Sequence, residues 1–571
     1  MLKNHIPILS WLSNYDKTNL RGDVSAGLTV GVMLIPQGMA YAMLAGLPPI
    51  YGLYASLVPL LIYAMFGTSR QLAVGPVAMV ALMVAAGVSS LAEPGTDEYI
   101  TLAIVLAFMI GVIQFGMGLL RLGFLVNFLS HPVITGFTSA AAIIIGFSQL
   151  QHLLGISLPR TNYFYEILYY AFHGLRDVNI PTLLLGITGI AVIIALKKWK
   201  KTFPSQLLVV AIGIIVVWIF GLYEKGVRIV GDVPGGLPAF SVPYLDAGVM
   251  QSLLPIALAI ALVSFMESIA VAKAMVHRHR DYKLDSNQEL IGLGAANIGG
   301  SFFQSFPVTG GFSRTAVNDQ AGAKTGLSSI ISAGLIGITL LFLTPLFTYL
   351  PNAILASVII VAVIGLIDIK EMIFLWKTKR DDFSMLAVTF LATLFIGIEE
   401  GIATGVVISL VMVIYRSTKP HVAVLGKIPG THAYRNIKRF PHVEQHEDIL
   451  IIRFDSQLYF ANVEYFKEKL RKLEEEKEKP LKLVIIDAAS ITSIDASGIH
   501  ALREVIDDYK TRGITLYLTG IIGPVRDALY RAGIIQYLGE DHIFLDVEEA
   551  MECIRDSSNY KPRNEFTMQI K

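Results

Sequence analysis

Cysteine is nearly absent: a single residue, Cys553, in 571. Neither a disulfide framework nor a CxxC metal site can form from it, and zinc chemistry of that kind is excluded. An excess of one charge is also missing. Lys and Arg number 46 against 45 Asp and Glu, a formal net charge of +1, so there is no global field to hold nucleic acid. No basic cluster carries interleaved aromatics either. The sequence has no nucleophile–base pair, phosphate loop or metal cluster, which leaves an enzyme as the least supported class. The histidines are scattered, and His131, His152 and His173 lack metal-ligand spacing, so no metal and no cofactor are expected. Met1 to Leu20 mixes apolar residues with Lys3, Asp16 and Lys17. It has no continuous apolar core before a small-residue cleavage site, and nothing in it reads as a leader to be removed.

What the chain has in abundance is apolar residues, 54% of the total, with a mean hydropathy of +0.59. That is too apolar for a soluble protein, so most of it must sit in lipid. Stretches such as Thr101 to Leu120, Pro181 to Leu196 and Gly326 to Phe347 meet or approach the ~20 apolar residues that a spanning helix needs. Apolar runs and polar interruptions predict fourteen segments. The first seven lie near 26–44, 50–66, 74–90, 100–120, 124–150, 180–198 and 204–221. The second seven lie near 252–276, 286–303, 312–323, 326–348, 352–367, 383–397 and 401–416. The third and tenth are too short to span alone, and helix-breaking residues precede both, Gly75-Pro76 and Pro307 to Gly311. An odd number of helices per half inverts the second copy, and paired interrupted segments point to a binding site. Faint echoes between the halves fit this: Ser69-Arg70 against Ser313-Arg314, and Pro132 against Pro351.

Charge sets the expected orientation, because cytoplasmic loops collect Lys and Arg. With the N-terminus inside, the cytoplasmic loops hold Arg70, the Lys197 to Lys201 cluster, His277 to Lys283 and Lys370 to Arg380. The opposite loops hold Glu93, Asp97, Glu98 and Glu399-Glu400, with Arg160, Arg176, Lys225 and Arg228 as exceptions. An even number of spans then keeps the C-terminus inside.

Beyond about His421 the texture changes to a soluble α/β alternation. Residues 1–420 are expected to form a transmembrane domain, 421–439 a linker, 440–556 a cytoplasmic domain and 557–571 a disordered tail. Strands are expected at Asp448 to Phe454, Lys482 to Asp487 and Thr515 to Thr519. Helices are expected at Val463 to Lys477, Ser497 to Lys510, Pro524 to Ala532 and Asp546 to Arg555.

Several motifs, taken in order, resemble the SulP family of sulfate permeases. They are Leu34-Ile-Pro-Gln-Gly-Met-Ala-Tyr41, Leu47-Pro-Pro-Ile-Tyr-Gly-Leu53, Gly67-Thr-Ser-Arg70, Asp285-Ser-Asn-Gln-Glu-Leu-Ile-Gly-Leu-Gly294, Gly311-Phe-Ser-Arg-Thr-Ala-Val317 and Ala323-Lys-Thr-Gly326. Ile494-Asp-Ala-Ser-Gly-Ile499 is similar to the STAS domain that ends such chains. Leu284 to Lys324 and Pro420 to Gly430 look especially like plant proton-coupled sulfate transporters. The resemblance implies an α-helical membrane protein of fourteen transmembrane segments in two inverted seven-segment repeats, with core and gate domains, plus a C-terminal α/β STAS domain. It also implies elevator-like movement of the core and a homodimer in the cell membrane, either a bacterial inner membrane or a plasma membrane.

A dianion within a bilayer needs neutralisation by a site that can still release it. Helix N-termini suit this, each offering ~0.5 positive charge and unpaired N–H donors. Position places Gly75, Pro76, Val77 and Ala78 on one side and Phe312, Ser313 and Arg314 on the other. A guanidinium at membrane depth costs ~2.5–3.5 kcal/mol on insertion scales, and a bound anion would offset that cost. The competing reading of Arg314 is snorkelling or a carboxylate partner. Gln37 and Tyr41 share a helical face and line the same pocket, unless they serve as interhelical glue and packing. Val77 stands where some relatives carry Phe.

Glu267, the only acid of the eighth segment, reads as a proton carrier able to pair with Arg314. Alternatives are a permanent ion pair or a sodium ligand. Asp285, Asn287 and Glu289 also match the family, with helix capping by Asp285 or Ser286 the simpler role. In similar domains the serine at the place of Ser497 is phosphorylated; an ordinary N-cap is the alternative. The leading function is proton-coupled symport of sulfate or a similar small anion. The alternatives are a sodium-coupled bicarbonate or dicarboxylate symporter, an uncoupled chloride/bicarbonate exchanger or channel, and a membrane-anchored sensor.

Overall fold

In lipid a backbone must satisfy its own polar groups, so apolar runs fold as helices. The computed structural model describes residues 6–13, 15–124, 130–157, 164–199, 203–279 and 282–555. Arg160, Lys200, Lys201, Arg280 and the tail after Ser557 lie outside the described residues, as does part of the fifth segment.

In chain order the first half contains α1 Ile8–Leu12, α2 Lys17–Leu44, α3 Ile50–Tyr54, α4 Val58–Phe66, β1 Val74–Gly75, α5 Ala78–Val88 and α6 Asp97–Leu119. It continues with α7 His131–Ser148, α8 Leu150–Leu154, α9 Phe164–His173, α10 Ile180–Trp199 and α11 Ser205–Ile219. The second half contains α12 Ala247–His279, α13 Ser286–Ser301, β2 Thr309–Gly310, α14 Phe312–Gln320 and α15 Leu327–Ile338. After these come α16 Asn352–Ile364, α17 Ile369–Thr378, α18 Arg380–Phe395 and α19 Ile398–Thr418. Each of the fourteen expected segments corresponds to a helix or helix pair. Among the described residues, eight helical stretches are long and apolar enough to cross a membrane. Residues 50–66, 78–88 and 205–219 form shorter apolar helices. α13, α14 and α18 fall below that threshold because they are only 16, 9 and 16 residues long. The basic stretch expected as a loop, Lys370 to Arg380, is mostly the helix α17.

Packing repeats between the halves. α2 lies on α15 as α12 lies on α6, α4 on α15 as α13 on α6, and α7 on α18 as α16 on α10. Helices α2–α6 with α12–α15 make one group and α7–α11 with α16–α18 a second; α2 meets α11 and α16 along the seam, and α5 meets α7. Within the first group α2 and α3 touch backbone to backbone, where a Cβ on Gly52 would stand 1.9 Å from the Gly38 carbonyl oxygen. Buried Glu289 accepts from the Tyr63 hydroxyl at 2.6 Å, the Thr68 amide and hydroxyl, and the Ser69 amide, fixing the Gly67 to Arg70 turn. Asp285 caps α13 by accepting from the Asn287 and Gln288 amides.

The chain divides into two compact units, Met1–Ser409 and Leu410–Lys571, with the boundary inside α19 rather than at 420. The second unit adds β3 Val422–Lys427, β4 Tyr434–Asn436, β5 Ile449–Phe454, α20 Val463–Glu475, β6 Leu483–Asp487, α21 Ala496–Arg512 and β7 Thr515–Thr519. It closes with α22 Gly523–Arg531, α23 Ile534–Leu538, β8 Ile543–Phe544 and α24 Val547–Arg555. The strand order is β4-β3-β5-β6-β7-β8. β5 through β8 run parallel, with Ile452 opposite Ile486 and Ile486 opposite Leu518, while β3 is antiparallel to β4 and β5. Buried parallel strands read as unbroken apolar runs, which is why β5 and β6 were legible. The linker expected at 421–439 is not a linker. It carries β3 and β4, whose Gly, Lys, Tyr and Asn dilute the apolar signal.

Candidate functional site

Two chain breaks build the site. Gly75-Pro76 cannot continue a helix, and neither can Pro307 to Gly311. Each interruption instead contributes a two-residue strand, and the strands pair antiparallel, Val74 with Gly310 and Gly75 with Thr309. The pairing brings the N-termini of α5 and α14 together, and no side chain caps either one. Two sets of backbone N–H groups therefore converge where an anion can use them.

A polar lattice holds this crossing in place. Asn297 accepts from the Val308 amide at 2.9 Å and donates to the Val308 carbonyl at 3.1 Å. Gln114 donates to the Ser264 hydroxyl at 2.8 Å, and Thr309 donates to the Ser264 carbonyl at 2.6 Å. The Gly310 amide donates to the Ser268 hydroxyl at 2.8 Å. On the other strand, the Ala73 amide donates to Thr315 Oγ1 at 3.0 Å and Asn318 donates to the Gln71 carbonyl at 2.8 Å. These polar residues of the lattice went unread in the sequence. Gln114 and Asn297 could have been flagged, since uncharged amides inside membrane helices need partners.

Arg314 sits in the first turn of α14 and is only 2% exposed. Its Nη1 donates to the Pro76 carbonyl at 2.6 Å, while Nε and Nη2 are buried without a partner. Each unmade bond of this kind costs ~1–3 kcal/mol. Gly75 and Gly311 supply the room, because Cβ atoms there would lie 3.4 Å and 3.0 Å from Arg314 Nη2. Gly75 also has φ 154°, a conformation L side chains rarely adopt. The expected Glu267–Arg314 bond is not the one formed: the guanidinium is turned to Pro76, and Glu267 Oε2 is buried without a partner. The two charges and the Tyr41 hydroxyl are nonetheless within electrostatic reach of one another.

From α2, Leu34 reaches the space beside Gly75 and Arg314 Nη2, and Gln37 and Tyr41 follow on that face, both buried. Val77 and Ala78 are buried at the head of α5, while Phe312 and Ser313 are exposed at the head of α14. The sequence-derived residues thus gather around one crossing. Gln206 is an addition: it accepts from Gln37 Nε2 at 2.8 Å.

In the second unit, Asp495 and not Ser497 is the N-cap of α21, accepting from the Gly498 amide at 2.8 Å. Ser497 is the second residue of that helix. Elsewhere in this unit burial pushes the Asp487 carboxyl up, even though Asp487 accepts from the Ala489 amide. Among the described residues, His432, Glu548 and Glu552 are close enough to share an ion, yet Glu548 is committed to Lys427 and Tyr434.

Residues 20–389 match the Sulfate permease family and residues 440–550 the STAS domain. The chain is 43% identical to "Probable sulfate transporter 4.2" of Arabidopsis thaliana, over 96% of this chain and 83% of that protein. It is 38% identical to "High affinity sulfate transporter 2" of Stylosanthes hamata, over 95% of this chain and 85% of the relative. Among solved structures, the murine Solute Carrier 26 family member A9 anion transporter in its inward-facing state aligns with a TM-score of 0.88 at 26% identity. That alignment covers 98% of this chain and 95% of the other.

Proposed function

The chain belongs to the sulfate permease family and is a multi-pass anion transporter rather than an enzyme, and from that premise we propose that it carries sulfate into the cell together with protons. One observation carries the substrate reading: two uncapped helix N-termini converge beside a buried guanidinium with Nε and Nη2 unpartnered. A tetrahedral dianion offers acceptors for those donors and offsets their desolvation. The relatives named as sulfate transporters support sulfate as that anion. Gln37, Tyr41, Gly75, Pro76, Val77, Ala78, Phe312, Ser313 and Arg314 make up the binding site.

Inward movement of a dianion against a negative interior costs about 2.3 kcal/mol per charge per 100 mV. Glu267, half-buried within electrostatic reach of Arg314 and with one buried, unpartnered carboxylate oxygen, is the carboxylate suited to carry a compensating proton. The seam between the two helix groups supports an elevator movement of the group that carries both N-termini. We place the N- and C-termini in the cytoplasm, on the loop charges, and take the transporter to be a homodimer.

The test is radiolabelled sulfate uptake into proteoliposomes with an imposed inward proton gradient, comparing wild type with Glu267→Gln. Uphill uptake should follow the gradient, and the variant should lose it while retaining downhill exchange. Gradient-independent flux unchanged by the substitution would replace symport with exchange or a channel. No sulfate flux at all would reject the substrate.

A further inference from the structure

We propose that Gln206 is a positioning residue of the anion site: it orients the Gln37 amide across the seam between the two helix groups, so that anion binding depends on their alignment. This rests on the transport reading above.

Gln37 is 1% exposed and Gln206 2% exposed, and each lies within an apolar helix where an amide has few partners. Gln37 Nε2 donates to Gln206 Oε1 at 2.8 Å. An amide nitrogen has two hydrogens, so this bond occupies one and fixes the plane in which the second must point. An oxyanion accepts but cannot donate, and the second N–H is the part of Gln37 it can use.

The other end of the amide is informative. Gln37 Oε1 is buried without a partner, whereas an amide serving only to join two helices would be satisfied at both ends. An anion cannot supply the missing donor, so the unpartnered oxygen shows only that Gln37 is not part of a complete helix-to-helix pairing, and its remaining N–H is the group left to serve the ligand. Position agrees with this. Leu34, three residues before Gln37, reaches the space beside Arg314 Nη2, and Tyr41, four residues after it, feels the charges of Arg314 and Glu267. Gln37 lies between them on the same face of α2.

The location of the partner adds the mechanical consequence. Gln206 is in the first turn of α11, in the second helix group, while Gln37 belongs to the first. Any sliding of one group past the other must break the bond and free the Gln37 amide. An anion is then held by an oriented amide when the groups are aligned and by a loose one after they move, which favours release.

Gln206→Met keeps the length and removes the acceptor. In proteoliposomes it should raise the KM for sulfate about fivefold, the worth of one hydrogen bond, with turnover at saturating sulfate retained or increased. A purely structural role would instead lower turnover with KM unchanged. In a Gln37→Met background the same substitution should add nothing further. Gln206→Asn, too short to reach, should raise KM similarly and guards against misfolding of the Met variant. An unchanged KM in a folded variant, or additive effects of the two substitutions, would overturn the inference alone. A wild type that moves no sulfate would overturn it together with the proposed function.

Discussion

Glu289 and Glu267 are both acids of the membrane unit, and their surroundings differ: Glu289 is fully buried, Glu267 half-buried. Glu289 accepts four hydrogen bonds from Tyr63, Thr68 and Ser69, so it ties the Gly67 to Arg70 turn to α13. Glu267 keeps an oxygen without a partner, which is what leaves it available for the proton-carrying role proposed above. A third acid, Asp487 of the soluble unit, is half-buried, and burial pushes its carboxyl above the usual range. With the folded pKa above the unfolded one, the charged form is disfavoured on folding, so stability falls as pH rises through the folded value. Asp487→Asn should therefore raise the thermal midpoint of the purified protein at neutral pH. The gain should vanish in melts below the ordinary carboxylate range. At this scale the sequence was informative where a residue type was conspicuous: Arg314, Glu267 and Gln37 stand out in apolar runs. Gln206, in the first turn of a helix that starts after Pro204, was not singled out, because a polar residue is ordinary at a helix start. Which of Asp495 and Ser497 caps α21 depended on a backbone angle that composition does not encode.

Elements show the same division. The short third and tenth segments were visible because Gly and Pro interrupt them, and that sufficed to foresee two N-termini facing one point. Their strand pairing was not visible, since two-residue strands have no periodicity to read. What holds the pair is Asn297, whose amide closes both backbone groups of Val308. Asn297→Ala leaves those groups buried and unpaired, a cost of about 2–4 kcal/mol. It should also loosen the strand that presents α14. The expected result is a lower melting temperature in detergent, together with weaker sulfate binding by calorimetry. Unchanged binding in a folded variant would mean that the β1–β2 crossing does not need this clamp.

For the molecule as a whole, the two-unit plan and the inverted halves were legible, because hydropathy and loop charge vary over tens of residues. The boundary between the units was not. Residues 421–439 looked like a tether and are instead β3 and β4, with β3 bonded to β5 from Val422–Phe454 to Val424–Ile452. Ser417, before them, accepts from the Tyr459 hydroxyl at 2.8 Å. A fragment begun at residue 440, where the family match to the soluble domain starts, would therefore strip β5 of a neighbour. Its Ile-Leu-Ile-Ile run would become a naked sheet edge, a template for any other extended chain. On size-exclusion chromatography such a fragment should self-associate in proportion to its concentration, while one begun at residue 417 should run as a monomer. The segment that passes for a connector thus acts as a guard against aggregation.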